Sequence, residues 1–149
     1  MCRAGGRRCP SSLGAARGGT RPSRAGVGRY PKAVRDTIFA VNDGAPEEVL
    51  VARTRTVLMY PEFVVKVPTT EEGLLGNSME FATYSDPEGI PVAPCRWLKV
   101  NDDVTALVMD RVTPARNAFS DKSMPWWVGM VDCGQVGYLP DGTLVAYDL

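Results

Sequence analysis

Four polar residues stand in otherwise apolar settings: Lys66 within Phe63-Val64-Val65-Lys66-Val67, Glu80 beside Met79 and Phe81, Gln135 ahead of Val136, and Asp148 within Val145-Ala146-Tyr147-Asp148-Leu149. A lysine and carboxylates in such runs can hold phosphate or pair with one another, since charge leaves water only when it is compensated. The chain has no histidine. That excludes Ser-His-Asp and Cys-His nucleophile systems, a histidine-bearing zinc site and a phosphohistidine relay, each of which needs an imidazole. Any chemistry therefore rests on Asp, Glu, Lys, Arg or Cys. Each of the four residues also has a plain structural reading. Lys66 can snorkel at a sheet edge or pair with an acid, and Glu80 can close a capping box with Asn77. Gln135 can pair with backbone in a hairpin, and Asp148 can be an exposed carboxylate at a strand end.

The elements that must position them follow from periodicity. Pro31 suits the first turn of a helix whose face carries Val34, Ile38 and Val41, ended by Asn42-Asp43-Gly44. Residues 48–53, 56–60 and 62–67 are short runs rich in Val, Leu and aromatics, which predict three antiparallel strands in a meander. Thr69 with Glu72 has the form of a capping box, so a helix starts at Thr70. Gly73 and Gly76 weaken it, and Asn77 with Glu80 offers a second start at Ser78; it ends near Asp86-Pro87. Residues 95–100 and 105–111 make a hairpin through Asn101-Asp102-Asp103. Residues 112–125 are polar and irregular, and Trp126-Trp127 is expected to pack in the core. A last hairpin turns at Pro140-Asp141-Gly142. The expected fold is α+β: an antiparallel sheet of about five strands with one packed helix, plus a C-terminal β-hairpin.

The 17 basic and 17 acidic residues of the 149 cancel, but not evenly. Residues 1–36 carry nine Lys/Arg against one Asp, and the rest carries eight Lys/Arg against sixteen Asp/Glu. Residues 1–29 hold seven arginines and seven glycines and few large apolar residues, so they read as a disordered arm ahead of a single domain over 30–149. Such an arm can contact nucleic acid through salt-sensitive electrostatics, although no aromatic interleaves the arginines and the acidic remainder repels a polyanion. No stretch has the form of a secretory signal or of a bilayer span, so a cytoplasmic protein that does not enter the membrane is expected. The four cysteines show no metal-ligand spacing and are expected to be reduced.

The order of these elements carries a resemblance. Residues 53–149 resemble the protein-kinase-like fold in a shortened form, like that of small proteins encoded by phages of actinobacteria. Phe63-Val64-Val65-Lys66-Val67-Pro68 looks like the third kinase strand, and Glu80 matches the helix glutamate that pairs with its lysine. Leu107-Val108-Met109-Asp110-Arg111-Val112 is similar to the fifth strand and hinge, Asp132-Cys133-Gly134-Gln135 to the catalytic loop, and Val145-Ala146-Tyr147-Asp148-Leu149 to the Asp-Phe-Gly segment. The resemblance implies ATP and Mg²⁺ as cofactors. Lys66, Glu80, Arg55 and Met109 would then serve the nucleotide, Gln135 and Asp148 the metal, and Asp132 would be the catalytic base.

Three departures from the family stand out. The turn Ala52-Arg53-Thr54-Arg55 has no glycine, so phosphate cover falls to Arg53, Arg55 or the threonines. Asp132 lies three residues before Gln135 where the family places its base five before the asparagine. No activation segment follows Asp148 in this sequence. The favoured expectation is a catalytically silent kinase-like module that binds a nucleotide or a host protein, or pairs as a homodimer. An active ATP-dependent phosphotransferase and a nucleic-acid accessory protein acting through the arm are the alternatives.

Overall fold

The computed structural model describes residues 24–118 and 120–149. Most of the arginine-rich arm lies outside them. Its last part, Arg24–Arg29, forms a 3-10 turn that places Val27 in the core, so the described fold begins ahead of position 30.

Helix α1 (Lys32–Val41) follows Pro31 and ends where Asn42 takes a left-handed conformation and returns its N–H to the Ile38 carbonyl. Strands β1 (Glu48–Val51), β2 (Arg55–Met59) and β3 (Phe63–Pro68) then make the antiparallel meander. Helix α2 (Glu71–Ser85) is followed by β4 (Cys95–Lys99) and β5 (Thr105–Asp110). β5 inserts beside β3, giving the sheet order β1-β2-β3-β5-β4.

Both faces of this sheet are covered, which explains why β3 and β5 read as nearly continuous apolar runs. Side chains alternate across the pleat. Val65 and Val67 with Leu58, Ala106 and Val108 face α1 and bury Val34 and Ile38. Val64, Met59, Leu107 and Met109 take the other face, where Phe81 of α2 and Trp97 pack against them. Lys66 shares the parity of Val64, so the pleat sends its side chain to the α2 side. Among the described residues the two expected helices pack on this sheet, one on each face.

Thr70, one residue later than expected, caps α2 by accepting the Gly73 N–H at 3.1 Å. Thr69 instead donates its N–H to the Thr54 carbonyl. The helix runs unbroken to Ser85, and the second capping box is not used, because Asn77 and Glu80 turn inward and are buried.

The C-terminal hairpin is larger than expected. β7 (Val136–Tyr138) and β8 (Leu144–Ala146) are joined by β6 (Thr113–Pro114) into a three-stranded sheet, so the stretch read as irregular contributes a strand. Gly142, at φ +88°, supplies the left-handed residue that the tight turn needs. β8 is tied to the main body by the Ala146 N–H on Pro91 and the Ala93 N–H on the Ala146 carbonyl. The tryptophan pair does not enter the core as a unit: in the 3-10 turn Trp126–Met130, Trp126 is 80% exposed while Trp127 packs against a third cluster under Val128 and Val136. Cys95 is a free thiol in the core, and Cys2 and Cys9 lie outside the described residues. Among the described residues no helix is long and apolar enough to cross a membrane.

Candidate functional site

β2, β3, α2 and the segment after β8 meet at one point. Lys66, 5% exposed, donates from Nζ to Glu80 Oε2 at 2.7 Å and to the Tyr147 carbonyl at 2.6 Å. Arg55 lies across the same glutamate. Its Nη1 donates to Glu80 Oε1 at 2.9 Å and to Asn77 Oδ1 at 3.0 Å, and its Nη2 donates to Asp148 Oδ1 at 2.6 Å. Asp148 Oδ1 is also 3.9 Å from Lys66 Nζ. Asn77 completes the arrangement by donating to the Lys66 carbonyl at 3.0 Å, which fastens α2 to β3.

Local sequence explains how Arg55 gets there. Gly73 and Gly76 give α2 a bare face, and the β1–β2 turn lies on it: a Cβ at Gly73 would collide with the Thr54 carbonyl oxygen, and one at Gly76 would be 3.6 Å from Arg55 Nη1. The glycines that weaken the helix in isolation are what admits the guanidinium.

Two cations and two carboxylates balance, and no buried side-chain nitrogen or oxygen among the described residues lacks a partner. Burial works against the Arg55 charge, yet Glu80 and Asp148 raise its pKa further. Burial likewise favours protonated Asp148, but Lys66 and then Arg55 outweigh it and hold the carboxyl below its ordinary value. The folded pKa of Asp148 is therefore below its unfolded value of about 3.9. A depressed carboxylate stabilises the fold fully above that unfolded value and loses the contribution as pH falls through the folded pKa. Acid titration of urea stability is expected to show a decline below about pH 4 that Asp148→Asn makes shallower. An unchanged acid limb in that variant would remove Asp148 from the network.

Beside the cluster is a cleft of about 470 Å³ lined by Thr54, Arg55, Glu72, Met79, Asp132 and Asp148, among others. Asp132 is exposed at this cleft in the 3-10 turn Asp132–Gly134. Of the residues singled out in the sequence, Lys66, Glu80, Arg55 and Asp148 are thus brought into contact, and Asp132 shares their cleft. Met109 and Gln135 are not brought in. Met109 is 1% exposed inside the sheet, paired with Val64 on one side and Cys95 on the other. The hinge-like donors after it are occupied too: the Asp110 N–H goes to Pro94 and the Arg111 N–H to Glu62. Gln135 is absent from the cleft lining and engages Tyr147 and Asp132 through its backbone.

In comparisons with protein-family models, curated proteins and solved structures, the chain matches none. The residues themselves must carry the reading.

These residues do not fit a Mg²⁺ site of the kind the sequence resemblance implies. Asp148 spends its Oδ1 on Arg55 and Lys66, Gln135 does not line the cleft, and no group of three acidic or sulfur ligands is found among the described residues. Two residues important to the site carried no sequence signal as ligands. Asn77 was read only as a possible cap, and the Tyr147 main chain could not be singled out, because backbone acceptors are identical along the chain.

Proposed function

We propose that the chain is a kinase-like module without phosphotransfer activity, which binds the phosphate end of a small ligand at the Arg55–Lys66 pair. The observation that carries this reading is the convergence of Lys66, Glu80, Arg55 and Asp148 from four separated stretches of sequence beside one cleft. A strand lysine paired with a helix glutamate, next to a second cation with a planar donor fork, suits phosphate oxygens. Three features speak for silence. Arg55 fills the space between the two carboxylates, the hinge-like N–H groups are spent within the fold, and Asp132 is exposed on the rim rather than held by hydrogen bonds beside a nucleophile.

Thermal denaturation with millimolar pyrophosphate or ATP tests the reading. A ligand at tenfold its Kd adds about 1.4 kcal/mol, which for a domain of this size is a rise of roughly 3–6 °C. The rise is expected to vanish in Arg55→Gln with Lys66→Met. No shift in the parent chain, or a shift that survives both substitutions, would sink the phosphate claim; transfer of the γ-phosphate to any acceptor would sink the claim of silence.

A second reading has its own observation. Trp126 and Met130 project from one 3-10 turn with 80% and 66% of their surface exposed, and exposed tryptophan is a common anchor of protein interfaces. Trp126 would then hold a host protein or a second copy, leaving the ion cluster as a structural lock.

A further inference from the structure

Within the cluster the two carboxylates are held very differently. Glu80 is 1% exposed, rooted in the middle of α2, and bonded by both cations. The Asp148 side chain is 33% exposed and sits on the short segment beyond β8, at the edge of the open cleft. A single oxygen, Oδ1, meets both Arg55 Nη2 and Lys66 Nζ. A phosphate oxygen accepting from Arg55 Nη2 would take that place, with Lys66 Nζ 3.9 Å away as a second positive charge.

Resting on the phosphate reading above, we propose that Asp148 is a tethered occupant of this anion site and that its side chain acts as the gate. With Asp148 in place, the two cations face two carboxylates, the site has no net charge and a further anion binds only weakly. With Asp148 swung out, Arg55, Lys66 and Glu80 leave one net positive charge, and the Arg55 Nη2 donors and one Lys66 N–H are open toward the cleft. The other charges facing that space are Glu72, which Arg53 neutralises at 2.9 Å, and the exposed Asp132. Asp132 opposes a large polyanion, so the ligand class is a small phosphate or diphosphate group. Entry requires the Asp148 carboxylate to leave Arg55, while the main chain on either side stays held by the Tyr147 carbonyl on Lys66, the Tyr147 N–H on Gln135 and the packing of Tyr147 and Leu149 against the apolar clusters. Ligand binding and release of the Asp148 side chain are then one coupled equilibrium, in which the ligand's apparent affinity is reduced by the small open fraction.

Calorimetric titration of the full chain with pyrophosphate, in magnesium-free buffer at low salt, tests the gate. Asp148→Asn keeps the shape and the acceptor oxygen while removing the charge, and Asp148→Ala opens the space. Both are expected to bind pyrophosphate at least about tenfold more tightly than the parent chain, which corresponds to about 1.4 kcal/mol. Adding Arg55→Gln is expected to abolish the gain. Equal, measurable affinity with and without Asp148 would overturn the gate and leave the phosphate site standing, whereas no binding by the parent chain or by either single variant would overturn both. ADP in place of pyrophosphate separates the sources of the group: equal gains place the diphosphate alone in the site, and a larger gain for ADP adds the nucleoside to it.

Discussion

Glu80→Ala is expected to lower unfolding stability by about 3–5 kcal/mol, the range found when one partner of a buried ion pair is removed. The cost is not the lost attraction alone. Lys66 and Arg55 both point at this carboxylate from opposite oxygens, so its removal leaves two buried cations facing each other with only Asp148 between them. Asn77 also loses the geometry that lets Arg55 bridge to it. Replacing the charge pair as a pair, Lys66→Met with Glu80→Leu, is expected to recover much of the loss, because an apolar pair of similar volume avoids desolvating two ions. Urea unfolding of the parent chain and the two variants measures this. A cost under about 1 kcal/mol for Glu80→Ala would mean that the cluster is solvated and contributes as surface pairs do.

The two glycines of α2 should respond in opposite directions. Alanine is favoured over glycine in a helix by about 1 kcal/mol, and Gly76 has room for a Cβ: its nearest neighbours, the Arg55 Nη1 and Cζ atoms, are 3.6 and 3.8 Å away. Gly76→Ala is therefore expected to stabilise by up to about 1 kcal/mol. At Gly73 the new Cβ collides with the Thr54 carbonyl oxygen and lies 3.0 Å from Arg55 Cγ. Main chain cannot yield as a side-chain tip can, and the turn that must move also carries Arg55 into the network. Gly73→Ala is expected to cost about 1–3 kcal/mol net, as overpacking does. Equal effects at the two positions would mean that the β1–β2 turn does not rest on α2.

These contacts mark what could be read from the residues and what could not. The meander, the β4–β5 hairpin and the last turn were legible because valine-rich runs between turn residues have few other solutions. The parity that sends Lys66 to the α2 side was also implicit, since a strand alternates its faces. The close approach of Arg55 was not legible: it depends on a helix face made bare by two glycines, a tertiary fact that in a single stretch reads only as a weakened helix. The same limit explains Asn77 and Glu80, whose spacing fits a capping box but whose side chains gain more from pairing with Arg55 and Lys66. Trp126 was misplaced because a proline-flanked aromatic pair looks like core, whereas the 3-10 turn separates the two rings and buries one side only.

Arg55 and Asp148 are 93 positions apart in sequence, and their contact is what joins the β1–β2 turn to the segment after β8. A double-mutant cycle of Arg55→Gln and Asp148→Asn, followed by urea unfolding, reads that contact directly. Residues in one ion network couple by about 0.5–3 kcal/mol, and the short, partly buried geometry here predicts at least about 1 kcal/mol of stabilising interaction. Additivity to within about 0.3 kcal/mol would contradict the account, because the four side chains would then not form one site.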